Sequence, residues 1–396
     1  MSGDLRFLPA YSGIIKGLKM KKIAILGATG SIGRQALDII ERFPDKFSVT
    51  ALTAHKDSDE LARLAKKFGA SYAGLTGLKG SVEFERKAGV RTGFGLKALL
   101  ESCTVENPDI VLIAVVGIAG LPPLIECLDC GINVALANKE SLVCGGHIVK
   151  QKQTSKAKIY PVDSELSALY QCLNGTEAAG VRRVILTASG GPFYDWSIND
   201  IQNATVEQAL RHPNWRMGRK ITVDCATYMN KGLEIIETHW LFNLPPEKID
   251  VVVHRQSIIH SMVEFEDGAV LAQLGPTDMR QPIQYAFGNP DRLKSVVGHL
   301  DFAKIGKLTF DTPDTDKFPC LKHAKDALAA GGSMPLIMNA ANEAAVELFL
   351  EKKISFGDIE RLVRSAMEKF AGLKGDTLIE IFNTDTEVKN YVYRSR

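Results

Sequence analysis

Residues 21–43 read KKIAILGATGSIGRQALDIIERF and decide the fold of the N-terminal part of the chain. The apolar run IAIL has the character of a buried strand, and the last ten residues have the apolar spacing of an amphipathic helix. The turn GATGSIG (27–33) lies directly between them. Gly27 permits a tight turn, Gly30 lets backbone N–H groups approach a pyrophosphate, and Gly33 lets the helix pack closely on the strand. The segment therefore predicts a dinucleotide-binding unit, in which the phosphate rests on the N-terminus of the helix. The cofactor contacts expected in this loop are Gly27, Thr29, Gly30, Ser31, Ile32 and Gly33.

The same alternation of strand and helix continues to about residue 163. The apolar runs FSVTALTA, DIVLIAVV, INVALAN and AKIYPV are separated by helical patterns, among them SDELARLAKKF, LPPLIECLDC and KESLVCGGHIVKQK. Strands that are apolar throughout, spaced by helices, are typical of a parallel sheet covered on both faces. Residues 21–163 are therefore predicted to form a Rossmann-like dinucleotide-binding domain.

The rest of the chain has a different pattern. Residues 164–289 mix helices with the strand-like runs VRRVILTA, KIDVVVHRQ, SIIHSMVEFED and AVLAQLG, which predicts an α+β domain. A linker (290–319) leads to residues 320–396, whose apolar spacing predicts a small helical domain. Residues 1–20 have the composition of a loose leader, and Met20 is an alternative start. The predicted fold class is thus α/β, with an α+β centre and a helical C-terminus.

Composition excludes several classes of function. The 396 residues are 45% hydrophobic, enough for large cores, and 48 Lys and Arg balance 46 Asp and Glu to a net charge of +2. Basic residues are not clustered with aromatic ones, so nucleic acid is not an expected partner. The longest apolar run, 110–121, is too short to cross a bilayer, so no membrane association is expected. Seven scattered cysteines fit reduced thiols in a cytoplasmic protein.

Cys127 and Cys130 form a CxxC pair, so a metal or redox site has to be considered. The pair is expected near the end of a helix that Gly131 terminates. A helix C-terminus disfavours a thiolate, and no second Cys or His pair follows nearby. We interpret both cysteines as small helix residues that face a core.

The end of the second predicted strand indicates which dinucleotide is bound. An acidic residue there would bind the ribose 2′-hydroxyl of NAD, but this chain has His55 and Lys56. Basic side chains favour a 2′-phosphate, hence NADPH. Asp57 would repel that phosphate, yet it can equally cap the next helix, with Glu60 three residues on.

Two carboxylates, Asp163 and Glu165, follow the last strand of the first domain in PVDSE. If the backbone is still extended there, both side chains point to one face. A third acid, Glu234, shares a helix face with Asn230 in MNKGLE. Together the three carboxylates would suit Mg²⁺ or Mn²⁺, which would offset their repulsion. Spacing alone leaves open whether they are a metal site or solvated surface acids.

The chain resembles the 1-deoxy-D-xylulose 5-phosphate reductoisomerase family. The resemblance runs from about residue 21 to the C-terminal helices, through GATGSIG, LANKESLV, PVDSE, LTASGGPF, HPNWRMGRKITVD, MNKGLE, SIIHSMVEF and MNAANEAAV. It implies that a divalent metal binds the substrate ketone and a neighbouring hydroxyl, and that the carbon skeleton rearranges through retro-aldol and aldol steps. NADPH then reduces the resulting branched aldehyde phosphate. It also implies a homodimer.

The resemblance assigns roles to individual residues. The metal ligands would be Asp163, Glu165 and Glu234, and the catalytic set would add Lys139 and His212. The substrate contacts would be Lys139, Ser164, Ser189, Cys225, Asn230 and Lys231, of which Ser189, Asn230 and Lys231 bind the phosphate. Further cofactor contacts would be Asn138 and Glu140. A mobile flap, HPNWRMG (212–218), would close over the sugar phosphate through His212, Trp215 and Met217, although a Trp between Pro213 and Gly218 can also be plain local packing.

Three positions depart from the family pattern. Leu166 follows the acids where DSEH is usual, Cys225 replaces a Ser in VDCAT, and Arg255 interrupts the usual HPQS. Leu166 alters a neighbour of the metal ligands, and Cys225 alters a phosphate contact. We interpret the segment at His254 as a strand that serves the sheet and the dimer.

Two other functions remain open at this point. Another NADP-dependent reductase, of the homoserine or semialdehyde dehydrogenase kind, would share the cofactor domain but would not need three carboxylates with MNKGLE. An NADP-binding homologue with weakened or lost turnover would explain Leu166 and Cys225. Turnover of the sugar phosphate separates these alternatives.

Overall fold

The computed structural model describes residues 20–175 and 180–396. The predicted leader, residues 1–20, lies outside these residues except for Met20. Within the described residues, no helix has both the length and the apolar character that crossing a bilayer requires.

The first half of the chain forms a seven-stranded parallel sheet. Its strands are β1 Lys21–Leu26, β2 Phe47–Ala54, β3 Tyr72–Leu75, β4 Arg91–Phe94, β5 Ile110–Ile113, β6 Asn133–Leu136 and β7 Ile159–Pro161. Their order in the sheet is β4-β3-β2-β1-β5-β6-β7, so the direction of winding reverses between β1 and β5. The predicted α/β fold is confirmed, and the short outer strands β3 and β4 add to the five strands predicted.

Both faces of this sheet are covered by helices. They are α1 Ser31–Arg42, α2 Ser58–Phe68, α3 Val82–Ala88, α4 Gly95–Ser102, α5 Leu121–Asp129 and α6 Glu140–Lys152. Along β1, Ile23 and Ile25 belong to the core that contains α1 and α2, whereas Ala24 and Leu26 belong to the core on the opposite face. This alternation explains why residues 23–26 of the strand are apolar throughout: neither face of that part meets water.

A second, four-stranded sheet follows helix α7 Ser164–Leu173. Its strands are β8 Val181–Ala188, β9 Ile249–Val253, β10 Ile259–Phe265 and β11 Val270–Leu274, in the order β11-β10-β8-β9. β8 and β9 are parallel, and the other two pairs are antiparallel. Between β8 and β9 lie α8 Ile198–Gln202, α9 Val206–Ala209, α10 Arg219–Thr227 and α11 Met229–Phe242.

Helices make up most of the remaining chain. They are α12 Arg280–Gly288, α13 Phe302–Ile305, α14 Cys320–Ala330, α15 Met334–Leu350, α16 Phe356–Phe370 and α17 Leu378–Arg394. α15 is buried along most of its length and contacts α6, α10, α14, α16 and α17. α12 instead packs on α1, and its Arg280 pairs with Asp38 at 2.9 Å. The C-terminal helices therefore support both the first sheet and the helices that follow β8.

The CxxC pair is placed largely as predicted. α5 ends at Asp129, and Gly131 adopts a left-handed φ of 71° directly after it. Cys127 is buried, but Cys130 is exposed, so the expectation that both cysteines face a core is wrong for Cys130. Cys130 is the C-cap residue between Asp129 and Gly131, and its Sγ lies 3.7 Å from Glu126 Oε1.

Candidate active site

The glycine turn after β1 has the shape of a phosphate cradle. Gly27 has a φ of 92°, and a Cβ added there would lie 2.5 Å from the carbonyl oxygen of Ala114. A Cβ on Gly33 would lie 2.3 Å from the carbonyl oxygen of Gly27. Gly30 is the N-cap residue of α1, and no side chain accepts a hydrogen bond from the first N–H groups of this helix. The first N–H groups of α1 are therefore open to an anion, and only glycines allow the turn to approach so closely.

The residues expected to select the 2′-phosphate lie at the end of β2. His55 and Lys56 are exposed, and His55 Nδ1 is 3.2 Å from Thr76 Oγ1. Asp57 is the N-cap of α2 and accepts a hydrogen bond from the Glu60 N–H, so its predicted capping role is confirmed. The Glu60 carboxylate is bonded to Arg34 and Arg63. The Asp57 carboxylate is thus bonded to the main chain of α2.

The three acids converge as predicted, but by a different backbone geometry. Asp163 is not in an extended strand: β7 has ended, and Asp163 caps α7 by accepting from the N–H groups of Glu165 and Leu166. Glu165 lies in the first turn of that helix. Glu234 comes from α11, and one oxygen from each of the three carboxylates lies within 4.8 Å of the others. The expectation of an extended backbone was wrong, since a helix cap brings the two nearby acids together.

Two buried lysines balance these carboxylates. Lys139 Nζ donates to Asp163 at 2.8 Å, to Glu234 at 3.2 Å and to the Asn230 side-chain oxygen at 2.7 Å. Lys231 Nζ donates to Glu234 and lies 3.6 Å from Glu165. Because each lysine lies within the cluster, the acids are compensated by side chains when no cation is bound.

The acids differ in their affinity for protons. Burial and the charge of Asp163 raise the pKa of Glu234 to about 7, although Lys231 and Lys139 act in the opposite direction. Burial also tends to raise the pKa of Asp163, but Lys139 and Lys231 outweigh it and hold that pKa below its usual value. The Glu234 carboxyl therefore exchanges a proton near neutral pH.

A polar recess opens beside the acids, between the end of β8 and the segment before α10. Ser189 Oγ is 2.9 Å from His212 Nε2. His212 Nδ1 accepts from the backbone N–H groups of Asn214 and Trp215, so its proton lies on Nε2. Burial lowers the pKa of His212 to about 4, which keeps the ring neutral. The recess thus offers a hydroxyl and an imidazole N–H to an anion.

The predicted flap, residues 212–218, connects α9 to α10 and forms one wall of the same cleft. Asn214 Nδ2 donates to the carbonyl oxygen of Arg255 at 2.5 Å and to Ser257 Oγ at 3.2 Å. The ring of Trp215 lies 6.0 Å from that of His260. The segment is thus held at its middle by Asn214, and Trp215 stands over the cleft.

This anchoring corrects the interpretation of His254 and Arg255. Both residues follow β9 in a connection, and the described strands include neither of them. Arg255 pairs with Asp195 at 2.8 Å and covers the ring of Tyr194. The segment holds the flap, because its main chain accepts the Asn214 hydrogen bond.

One cleft joins these groups, with an empty volume of about 1010 Å³. Of the predicted site residues, it is lined by Ser31, Ile32, Lys139, Asp163, Ser164, Glu165, Ser189, His212, Trp215, Met217, Cys225, Asn230, Lys231 and Glu234. The predicted site residues outside that lining are Gly27, Thr29, Gly30, Gly33, His55, Lys56, Asn138 and Glu140. The N-terminus of the glycine helix therefore opens into the same cleft as the carboxylates.

Asn138 and Glu140 are buried at the start of α6. The Asn138 amide donates to the carbonyl oxygens of Val115 and Gly117, in the loop after β5. It also donates to Glu140 Oε2 at 3.1 Å, and Glu140 Oε1 accepts from Lys220 at 3.2 Å. Asn138 and Glu140 follow β6, and His55 and Lys56 follow β2. The two pairs therefore lie on opposite sides of the point between β1 and β5 where the winding reverses.

The two departures from the family pattern lie in different surroundings. Leu166 is fully buried in α7, in the turn that Asp163 caps. Cys225 is half-buried on α10 and faces the cleft, and burial raises the pKa of its thiol well above the usual range. Leu166 therefore adds an apolar surface behind the acids, whereas Cys225 adds a neutral thiol to the cleft itself.

Comparison with known proteins identifies the family. The model for 1-deoxy-D-xylulose 5-phosphate reductoisomerase matches residues 23–146, and the models for its two C-terminal regions match residues 159–242 and 274–391. The chain belongs to the 1-deoxy-D-xylulose 5-phosphate reductoisomerase family. The expectation of an enzyme of this family is thereby confirmed.

Relatives cover nearly the whole chain. The reductoisomerase of Clostridium kluyveri is 46% identical over 379 residues, which are 94% of this chain and 98% of that protein. The one from Chloroherpeton thalassium is 48% identical over 380 residues, with the same coverage. Among solved structures, the Zymomonas mobilis enzyme in complex with NADPH has a TM-score of 0.89 and 40% identity, covering 95% of this chain and 99% of that one. A reductoisomerase in complex with NADPH, fosmidomycin and magnesium has a TM-score of 0.90 and 39% identity, covering 95% and 98%.

Sequence reasoning missed several residues of the cleft. Ser257, Tyr228 and Met279 line it, and Ser257 and Tyr228 adopt left-handed φ values of 51° and 63°. Tyr228 forms the bend between α10 and α11 that turns Asn230 and Lys231 into the site. A positive φ in a bulky residue leaves no pattern in the sequence. Ser257, at the end of HRQS, is a polar residue that could have indicated the cleft, but the predicted strand at His254 obscured it.

Proposed function

We propose that the protein converts 1-deoxy-D-xylulose 5-phosphate to 2-C-methyl-D-erythritol 4-phosphate, with NADPH and Mg²⁺ or Mn²⁺, as a step of non-mevalonate isoprenoid biosynthesis. The observation that carries this proposal is the single cleft that contains three converging carboxylates and the open N-terminus of the glycine helix. A metal-dependent rearrangement followed by reduction needs both parts within reach of one substrate.

The glycine turn fits a dinucleotide. Its close backbone contacts leave the N–H groups of Ser31 and Ile32 facing the cleft, where they can bind a pyrophosphate. A cofactor bound where the winding of the sheet reverses would have its adenosine half held by His55 and Lys56, at the end of β2. The exposed Lys56 ammonium is then a charged partner for the 2′-phosphate, which supports NADPH over NADH.

The acid cluster fits a hard divalent cation. Asp163, Glu165 and Glu234 supply three carboxylate oxygens from two rigid helices, and the open side of the cluster faces the cleft. The bound cation supplies Lewis-acid polarisation of the substrate's ketone and neighbouring hydroxyl oxygens. Lys139 and Lys231 are the counter-charges of the free site, and we infer that they turn toward the substrate when the carboxylates take up the cation.

The recess at Ser189 fits the phosphate of the sugar. The Ser189 hydroxyl, the His212 Nε2–H and the Asn230 amide can donate to it, and Lys231 supplies the positive charge. The Cys225 thiol is the remaining donor on the α10 side. Binding the phosphate at this end orients the reacting carbons toward Lys139 and the acids, so that remote binding energy contributes to catalysis.

The flap, residues 212–218, can cover the bound substrate. Trp215 and Met217 line the same cleft as the acids, so that closing the segment over a bound sugar phosphate would exclude water from the reactive aldehyde. NADPH supplies the hydride that reduces this aldehyde to the alcohol. His212 links flap and phosphate because it belongs to the flap and bonds to Ser189.

We also propose that the protein forms a homodimer. β11 is an edge strand of the second sheet, and Val270 and Leu271 on it are about half exposed. An apolar sheet edge is a surface that a second copy can cover by strand pairing. Sedimentation equilibrium tests this proposal, and a monomer at micromolar concentration would refute it.

The function is tested by supplying 1-deoxy-D-xylulose 5-phosphate and NADPH to chelator-treated protein, with and without added Mg²⁺ or Mn²⁺. We expect NADPH oxidation only with the cation, and NMR of the product should show the branched carbon skeleton. An NADP-binding homologue without turnover, the alternative raised by Leu166 and Cys225, would bind NADPH but oxidise none under these conditions.

A further inference from the structure

Lys220 links the flap to a buried network that the proposed reaction does not use. It is the second residue of α10, two positions after the last residue of the flap. Its ammonium pairs with Glu140 at 3.2 Å and with Asp224 at 2.9 Å. Both acids are buried. One lysine therefore joins the start of α6 to the helix that carries the end of the flap.

The Glu140 branch of this network leads to the cofactor side of the cleft. Glu140 is held by two donors: Lys220 on one oxygen and the Asn138 amide on the other. The same amide holds the loop after β5 through the carbonyl oxygens of Val115 and Gly117. That loop faces the glycine turn, since a Cβ on Gly27 would strike the carbonyl oxygen of Ala114. Glu140 therefore lies where the nicotinamide half of a dinucleotide would follow its pyrophosphate.

The Asp224 branch leads away from the cleft. Asp224 accepts a hydrogen bond from Asn342 on α15 at 2.8 Å. On the same helix, Glu343 pairs with Lys389 of α17 at 2.7 Å. Asp224 itself thus joins α10 to α15, whereas the Glu343 carboxylate also lies against Gly117 in the loop after β5. The contacts of Asp224 therefore stabilise helix packing.

We propose that Lys220 is a positioning residue for the cofactor: it fixes the Glu140 carboxylate for contact with NADPH and thereby ties the end of the flap to the cofactor site. The proposal rests on the proposed function, and the contact between Glu140 and the cofactor is the one that the family resemblance implies. Without Lys220, the buried Glu140 carboxylate would lose the cation bonded to it and would keep the neutral Asn138 amide as its side-chain donor, so it would turn or take up a proton.

The test compares substitutions at the lysine and at each of its partners. NADPH binding is measured by fluorescence titration without metal or substrate, for Lys220→Met, Lys220→Arg, Glu140→Gln and Asp224→Asn. We expect Lys220→Met and Glu140→Gln each to weaken NADPH binding by about tenfold, as for the loss of a charge-assisted contact. Lys220→Arg keeps a cation that can reach Glu140 and should restore most of the affinity.

Asp224→Asn is the matched control. It removes the other ion pair of the same lysine, so it should lower the melting temperature but leave NADPH affinity unchanged. The double variant Lys220→Met/Glu140→Gln should bind NADPH no more weakly than Glu140→Gln alone, because both changes act on one contact. If Lys220→Met fails to fold, Lys220→Gln, which keeps a neutral donor, is measured in its place.

Three results would overturn the proposal. They are unchanged NADPH affinity in the Lys220 variant, equal losses in Lys220→Met and Asp224→Asn, and fully additive losses in the double variant. Wild-type protein that binds no NADPH would overturn the proposed function and this proposal together. Wild-type protein that binds NADPH and turns over substrate, beside a Lys220→Met variant of unchanged affinity, would overturn this proposal alone.

Discussion

Replacing Cys225 by serine should tighten binding of the phosphorylated substrate. Cys225 faces the recess that Ser189 and His212 form, and its carbonyl oxygen lies against Gly191, two residues after Ser189. Burial raises the pKa of the Cys225 thiol, so it remains a neutral, weak donor across the working pH range. A hydroxyl at the same place would donate a stronger hydrogen bond to a phosphate oxygen.

The size of the effect follows from one hydrogen bond. A hydroxyl contact gains about 1 kcal/mol over a thiol contact, which corresponds to about a fivefold lower KM for the sugar phosphate. kcat should change little, because the phosphate is held alike in the ground and transition states. The assay is steady-state NADPH oxidation at saturating cofactor and metal.

A reciprocal variant provides the control. Ser189→Cys puts a thiol on the opposite side of the same recess and should raise KM by a similar factor. If folded Cys225→Ser has an unchanged or higher KM, Cys225 does not contact the phosphate. It would then be a packing residue beneath the site, where a buried hydroxyl brings no gain.

Three other predictions concern the metal and the cofactor. Glu234→Gln or Asp163→Asn should abolish turnover and leave NADPH affinity unchanged. Either change should lower Mg²⁺ affinity by more than about 100-fold, because loss of a direct ligand costs more than loss of a residue that only orients a ligand. Full activity in either variant would contradict the metal assignment. With the pKa of Glu234 raised to about 7, its carboxyl must lose a proton before it can bind metal, so the dissociation constant for Mg²⁺ should fall about tenfold between about pH 6 and about pH 8. Calorimetry that finds no pH dependence would refute that reasoning. Lys56→Ala should lower the NADPH to NADH ratio of kcat/KM by about tenfold, as for one charged contact, and an unchanged ratio would remove Lys56 from the 2′-phosphate site.

The features of the fold that the sequence predicts correctly are those set by residues close to one another in the chain. The glycine turn, the Asp57 cap and the shared face of Asn230 and Glu234 each depend on residues within a turn or two of one another. The strands β3 (YAGL) and β4 (RTGF) were missed because each contains a glycine and few large apolar residues, and β4 is an edge strand that is only partly buried. A short edge strand needs little apolar sequence, so its pattern is weak.

The site itself depends on contacts that sequence spacing does not encode. Lys139 and Asn230 are 91 residues apart, yet they share a hydrogen bond of 2.7 Å among the acids. The spacing of Asp163 and Glu165 correctly predicts that their carboxylates lie close together, but the predicted extended backbone is wrong. A helix cap and an extended strand can both bring two such side chains together, so spacing does not distinguish them. The anchoring of the flap by Asn214 on the main chain of Arg255 was equally invisible, because a carbonyl acceptor is the same in every residue.

The most direct test of the central claim, that one cleft holds the cation beside the reactive end of the cofactor, uses Mn²⁺ as a paramagnetic probe. Proton NMR relaxation of NADP⁺ is measured in exchange with the protein while Mn²⁺ is added to wild-type and Glu234→Gln proteins. We predict strong broadening of the nicotinamide protons, weaker broadening of the adenine protons, and loss of both effects in Glu234→Gln. Broadening that is equal at both ends of the cofactor, or that persists in Glu234→Gln, would contradict the account.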